Sequence, residues 1–133
     1  MRFSWMVVLV ILVSGGSALA CRCPIPSLAS VAPKAQGVFA GEIVSVTETK
    51  RTVSLTVAVK EVWRGSPTGQ TVVETINSSC GLHVAGAKLG RTFLFVSDQV
   101  DGQWAARQCT GSRVMTKGAR KELERLFGPA KAP

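Results

Sequence analysis

The residues of this chain that could do chemistry are four cysteines and little else. Cys21 and Cys23 are separated by one residue, whereas Cys80 and Cys109 lie far along the chain. The one histidine, His83, has no Cys, Asp or Glu neighbour at a spacing typical of metal ligands. No nucleophile lies near a plausible base. We therefore expect no enzyme, no cofactor and no metal ion of the chain's own.

Residues 1–20 have the pattern of a secretory signal peptide. Arg2 supplies a positive charge, residues 3–13 are almost entirely apolar, and residues 18–20 form the small-x-small sequence that signal peptidase cleaves. The apolar run is too short to span a membrane, which needs about 20 residues. We expect cleavage before Cys21 and a mature protein that is secreted, either extracellular or periplasmic. The alternative is a lipoprotein signal, in which Cys21 is acylated and anchors the chain to lipid.

Secretion would place all four cysteines where disulfides form. Four cysteines allow three pairings. Cys21 and Cys23 are too close in sequence to bond comfortably, so we expect each of them to reach a distant partner. Each such bridge would stabilise the fold by about 3–4 kcal/mol in the chain-entropy model.

Composition excludes several classes of protein. The chain has 133 residues and a net charge of +8, with 46% hydrophobic and 18% charged residues. It fits one domain and is too apolar for a disordered polyelectrolyte. Its cations are scattered, with adjacent pairs at 50–51 and 120–121, and export would keep most nucleic acid out of reach. We expect a monomer that binds no nucleic acid.

The elements that must position the cysteines are mostly strands. Prolines keep residues 24–26 extended, and Ser27 can cap a short helical turn over 27–34. Gly41 predicts a bend or bulge. Near residues 61–62 the alternation of apolar and polar residues changes phase, which predicts a bulge there as well. Periodicity and β-branched content predict five short antiparallel strands over 37–47, 52–63, 70–76, 92–96 and 104–109.

One helix follows the strands. Thr116 can cap it, and its apolar residues at positions 119, 123, 126 and 127 form one stripe. Gly128 ends the helix, and residues 129–133 are expected to form a loose tail. We expect Trp63 and Trp104 to pack in the core or against a hairpin. The whole pattern predicts an all-β fold with a minor helical part: a five-stranded OB-like barrel with a C-terminal helix.

Several short sequences resemble one known family. These are CRCPIP at 21–26, VFAGEI at 38–43, VWRG at 62–65, SSCG at 78–81, and a cysteine that ends the last strand, at 109. In this order they resemble the tissue inhibitors of metalloproteinases, over residues 21–127. The wider group is the netrin-like domain, an OB-type barrel. The resemblance implies one disulfide-stapled netrin-like domain over residues 21–133.

The resemblance also implies a site. It implies the disulfides Cys21–Cys80 and Cys23–Cys109. In that family the free α-amine and the carbonyl of the first cysteine chelate the zinc of the target protease. The implied partner is therefore a zinc metalloendopeptidase, which owns the metal. The implied inhibitory ridge consists of Cys21, Arg22, Cys23, Pro24, Ser78, Ser79 and Cys80.

The chain departs from the family in ways that keep a second interpretation open. Arg22 occupies the position of a small or hydroxyl residue that enters the pocket beside the zinc, and burying an unpaired guanidinium is costly. A third disulfide and the Cys-rich second domain of the family are absent from the sequence. The cysteines could instead only pin the N-terminus, with Ser78 and Ser79 turning the chain. The protein would then be a non-inhibitory binding or structural module of the cell envelope, with or without a lipid on Cys21.

Overall fold

The computed structural model describes residues 24–77, 90–106 and 110–133. Two short helices come first: α1 (Leu28–Val31) and a 3₁₀ turn (Ala32–Lys34). A long helix, α2 (Lys117–Phe127), lies near the C-terminus. The strands are β1 (Gly37–Glu48), β2 (Thr52–Arg64), β3 (Gln70–Ile76), β4 (Thr92–Val100), β5 (Gln103–Ala105) and β6 (Arg113–Val114).

Five of the strands form a closed ring. β1 pairs with both β2 and β4, β2 pairs with β3, and β5 joins β3 to β4, while β6 pairs with β4 on the edge opposite β1. This confirms the expected all-β ring with a C-terminal helix. The expectation that all strands are antiparallel is wrong at one place, because β3 and β5 run parallel. A ring with an odd number of strands cannot alternate direction throughout, so at least one pair must be parallel.

Three register shifts interrupt the pairing of β1 with β2, at Val38/Phe39, at Ala40/Gly41 and at Ile43/Ser45. The pairing register with β2 shifts between Ala40 and Gly41, which confirms the predicted bend at the glycine. A Cβ on Gly41 would lie 2.3 Å from the carbonyl oxygen of Ala58, so the two backbones approach as closely as only glycine allows. A second shift, where Phe39 pairs with Val62, explains the slip of apolar phase in β2.

Two hydrophobic clusters result from this ring. The interior cluster fills the barrel and is made of strand residues, including Phe39, Phe95 and Trp104, together with Ala106 just after β5. The Phe39 ring centroid lies 5.6 Å from that of Phe95 and 5.5 Å from that of Trp104. The outer cluster lies between the barrel and the helices and contains Leu28, Ala32, Ala35, Val38, Leu94, Val96, Ala119 and Leu123. Trp104 thus packs in the core, and the half-buried Trp63 packs against the outer cluster.

The terminal helix begins and ends where the sequence predicts. The Thr116 hydroxyl accepts a hydrogen bond of 3.1 Å from the backbone N–H of Ala119. Gly128, with φ of 84°, follows the last helical residue. Ala119 and Leu123 are buried and Leu126 and Phe127 partly so, which confirms the apolar stripe.

Several local features differ from expectation. The fifth strand was predicted over 104–109, but β5 begins at Gln103 and ends at Ala105. Ser27 precedes α1 as predicted, but its side chain makes no capping hydrogen bond. β4 extends to Val100, four residues further than predicted, and the two-residue β6 was missed because it is too short to show periodicity. The tail over 129–133 is not wholly loose, since Lys131 exchanges two backbone hydrogen bonds of 2.8 Å with Val62. Such bonds use only the main chain and leave no side-chain pattern in the sequence. Among the described residues, no helix is long and apolar enough to cross a membrane.

Candidate functional site

Most of the ridge inferred from the resemblance lies outside the described residues. Pro24 is described; the others, namely Cys21, Arg22, Cys23, Ser78, Ser79 and Cys80, are not. Residues 1–20, His83 and Cys109 also lie outside, and so do both implied disulfides. The structure does describe the segments that lead to these cysteines. We call residues 24–27 the N-terminal arm.

The arm is exposed but firmly attached at its C-terminal end. Pro24 is exposed, and Ile25 exposes 57% of its surface to solvent. Ser27 has φ of −65° and ψ of 144°, so the arm reaches α1 in an extended conformation. Leu28, the first residue of α1, is 1% exposed and belongs to the outer cluster. The arm therefore projects from a buried anchor, and it is extended, as its two prolines predict.

Arg113 ties the arm to the barrel. Arg113 belongs to β6, where it pairs with Leu94 of β4. Its Nε donates a hydrogen bond of 2.7 Å to the carbonyl of Gly111, and one of its Nη atoms donates to the carbonyl of Pro26. The guanidinium thus joins the arm to the segment that follows Cys109.

Gly111 brings this segment close to the arm. Its φ is 96°, in the left-handed region that favours glycine. A Cβ at this position would lie 2.8 Å from Cγ2 of Val31 and 3.7 Å from Cγ of Pro26. Pro26 lies three residues after Cys23, and Gly111 lies two residues after Cys109. The two segments that lead to these cysteines therefore start from neighbouring points.

The chain that leads to Cys80 is fixed at the end of β3. Asn77 donates its backbone N–H to the carbonyl of Arg51 at 2.9 Å and its side-chain amide to the carbonyl of Thr49 at 2.8 Å. These bonds hold the end of β3 against the turn between β1 and β2. On the opposite edge of β3, Ala106 donates its N–H to the carbonyl of Glu74 at 2.9 Å, three residues before Cys109.

The charge of Arg113 is partly buried. Burial lowers the pKa of the Arg113 guanidinium, and the Glu122 carboxylate on α2 opposes this shift through its negative charge. Arginine remains cationic in proteins, so its hydrogen bonds to the two carbonyls are charge-assisted and stronger than neutral ones. The arm is therefore attached to β6 by a charge-assisted hydrogen bond.

A cleft of about 400 Å³ lies between α1 and β4. Its wall includes Ser30, Lys34, Asp98 and Thr110. The Asp98 carboxylate accepts a hydrogen bond of 3.1 Å from the backbone N–H of Gln36, so this acid already supports the connection between the 3₁₀ turn and β1. Nowhere in the described ranges do three or more His, Cys, Asp or Glu side chains gather in a way that could hold a metal ion.

Comparison with known proteins does not identify the chain. No protein-family model matches it, and no curated protein matches it either. The interpretation of the site therefore depends on the residues themselves. Sequence reasoning overlooked Gly111 and Arg113, although a glycine often marks a position of left-handed backbone or of close backbone approach.

Proposed function

We propose that this protein is a secreted inhibitor of zinc metalloendopeptidases, and not an enzyme, in which the mature N-terminal Cys21 chelates the zinc of the target. The observation that carries the proposal is the arm, fixed on the barrel beside the segment that follows Cys109. A chelating inhibitor needs an N-terminus that is held against its own barrel. If the amine were mobile, the entropy cost of ordering it would offset much of the binding free energy.

The fold supports the same proposal. Three hairpin-connected strands, β1 to β3, are followed by β4, which returns to pair with β1. This is a Greek-key arrangement, and a five-stranded Greek-key barrel describes the OB-fold. We propose that residues 21–133 form an OB-like barrel of the netrin-like type, which agrees with the family that CRCPIP and SSCG resemble.

The disulfides Cys21–Cys80 and Cys23–Cys109 belong to the proposal. The close approach of Pro26 and Gly111 supports the second bridge, since both cysteines lie within three residues of this contact. Peptide mapping of the non-reduced protein tests the pairing. A Cys21–Cys109 link, or free thiols, would contradict it.

The chemistry follows from the main chain of the first residue. A catalytic zinc is held by three protein ligands and keeps one position open for water. A neutral α-amine and the adjacent carbonyl oxygen form a five-membered chelate that can displace this water. The amine must be free and unprotonated, so both acylation of Cys21 and acidic pH should abolish inhibition.

Arg22 would determine which proteases are inhibited. In the proposed complex its side chain enters the pocket beside the zinc, where a guanidinium favours an acidic lining over an apolar one. Replacing Arg22 by Thr should widen inhibition towards enzymes with apolar pockets. An unchanged inhibition profile against a panel of zinc endopeptidases would contradict this placement.

The decisive experiment adds one Ala before Cys21. The change converts the amine into an amide nitrogen without an available lone pair, and it leaves every side chain in place. The native form should inhibit a zinc endopeptidase, and the extended form should lose most of that inhibition, with circular dichroism confirming that both are folded. As a control, a cleavable extension should restore inhibition when it is removed, and intact mass with N-terminal sequencing should show a free Cys21.

Each other outcome of this experiment has a clear meaning. Equal inhibition by the native and extended forms would exclude chelation. Absence of inhibition by either form across a broad panel would favour a non-inhibitory module of the cell envelope.

A further inference from the structure

We propose that Arg113 is a positioning residue that sets the direction in which the chain leaves the barrel towards Cys21. The proposed clamp consists of the Arg113 guanidinium and its two acceptors, the carbonyls of Gly111 and Pro26. The effect of the clamp on inhibition rests on the proposed function. Its effect on the order of the arm does not.

The sequence of the arm favours such a donor. Pro24 and Pro26 have no backbone N–H, so the edge of the extended arm that they share cannot form an ordinary ladder of main-chain hydrogen bonds. It can still be attached through a carbonyl, which requires a donor from outside. Arginine supplies several N–H groups in a planar fork and has no acceptor, so one side chain can reach two carbonyls at once.

The base of the clamp is rigid. Next to it, the Ser112 hydroxyl is buried and bonds both to the N–H of Val96 at 2.9 Å and to its carbonyl at 3.1 Å. On the other side, the backbone N–H of Met115 donates to the carbonyl of Thr92 at 3.0 Å. The backbone is thus held to β4 on both sides of Arg113. The guanidinium therefore has a fixed base from which it can restrict the motion of the arm.

A disulfide at Cys23 would not replace the clamp. One covalent link fixes a distance but leaves the chain free to rotate about it. A second attachment three residues further on, at Pro26, fixes the direction as well. The clamp therefore limits the positions that the mature N-terminus can reach, which lowers the ordering cost of binding.

The test compares two arginines that bind carbonyls of the same N-terminal region. Arg113→Lys keeps the charge but cannot reach both carbonyls. Arg64→Lys is the matched control, because Arg64 donates a bond of 2.7 Å to the carbonyl of Pro33, beyond the arm. The order parameters of the Ile25 and Ser27 N–H groups, from ¹⁵N relaxation, report the arm directly.

We expect Arg113→Lys to lower these order parameters from about 0.85 to below about 0.6, the usual rigid and flexible ranges, while Arg64→Lys leaves them unchanged. Inhibition of a zinc endopeptidase should weaken about tenfold in Arg113→Lys and little in Arg64→Lys, in line with a loss of preorganisation.

Unchanged order parameters in Arg113→Lys would overturn the clamp, whatever happens to inhibition. A mobile arm with unaltered inhibition would overturn its role in positioning. If the native protein inhibits nothing, the proposed function fails, and the order parameters alone still decide on the clamp.

A measurement on the unmodified protein covers the case in which the variant does not fold. The Nε–H of Arg113 should exchange with solvent much more slowly than that of Arg125, whose side chain is 72% exposed. Equal exchange rates at the two arginines would overturn the clamp without any mutation.

Discussion

The interior cluster and the outer cluster consist of different types of residue. The interior cluster holds large rings and β-branched side chains, and nearly all of its members come from strands. The outer cluster contains three alanines, at positions 32, 35 and 119, which let the short N-terminal helices and α2 lie close to the barrel. The first cluster therefore closes the ring, whereas the second attaches the helices and, through Leu28, the arm.

Strands β1 and β4 serve both clusters at once. In β4, Phe95 points into the barrel, and its neighbours Leu94 and Val96 belong to the outer cluster. In β1, Phe39 and Val38 divide in the same way. Residues that pair between β1 and β4 belong to the same cluster: Phe39 and Phe95 to the interior cluster, and Val38 and Val96 to the outer cluster. The difference between the clusters suggests that stability and arm position can be changed separately.

The largest effect should come from the interior cluster. Phe39→Ala removes a fully buried ring that contacts both Phe95 and Trp104, and the closed ring cannot collapse around the cavity. We expect a loss of about 4 kcal/mol in the free energy of unfolding, measured by urea denaturation. Val72→Ala, at an exposed position of β3, is the control and should change it by less than about 0.5 kcal/mol. A loss below about 1 kcal/mol for Phe39→Ala would contradict the assignment of the interior.

A smaller loss, with a different consequence, is expected in the outer cluster. Leu123 lies on the inner face of α2 and is fully buried. Because α2 forms one side of the outer cluster, the helix can shift to fill the space left by a smaller side chain. We expect Leu123→Ala to cost about 2–3 kcal/mol, near the lower end for such truncations. Because α2 also carries Glu122, whose negative charge acts on Arg113, this variant should raise the mobility of Ile25, as seen in ¹⁵N relaxation. Phe39→Ala, studied where it remains folded, should leave Ile25 unaffected, and the opposite result would show that the two clusters are coupled.

The two clusters also differ in how well sequence reasoning anticipated them. Alternation over Val53, Leu55 and Val57 predicts the half-buried β2, and the stripe through Leu123 predicts α2, because periodicity reports which face is buried. Closure of the ring depends on pairs between distant strands, such as Val73 with Trp104, which no local pattern encodes.

The site was less accessible to sequence reasoning than the fold. The cysteine motifs point to an N-terminal site, but the attachment of the arm depends on Arg113 meeting the carbonyl of Pro26, 87 residues away. Neither residue stands out by type, since an arginine in a basic chain is unremarkable and every residue has a carbonyl. Such contacts become visible once the topology brings β6 beside the arm.

The register shift at Gly41 lies in the buried half of β1. Residues 37–43 are buried or half-buried, whereas Val44 and the residues after it are exposed. Gly41→Ala would place a methyl group 2.3 Å from the backbone oxygen of Ala58, which cannot move without shifting β2. We expect a loss of about 1–3 kcal/mol, as for other overpacked sites. Gly69→Ala is the matched control: no atom lies within 4 Å of its added Cβ, and it should be neutral or slightly stabilising. Equal effects of the two changes would contradict the close approach at Gly41.

The smallest expected effect concerns the start of α2, which covers the outer cluster. The Thr116 hydroxyl accepts the N–H of Ala119, one of the groups that a helix start leaves without a partner. Thr116→Ala should cost about 1 kcal/mol in urea denaturation, and Thr116→Ser should retain most of the stability because serine caps as well. The loss should fray only the first turn and leave the interior cluster intact, so amide exchange should quicken at Ala119 and Arg120 and stay slow in β1 and β4. Exchange that quickens equally in the barrel strands would mean that the helix and the barrel unfold as one unit, and the separation between the two clusters would then be wrong.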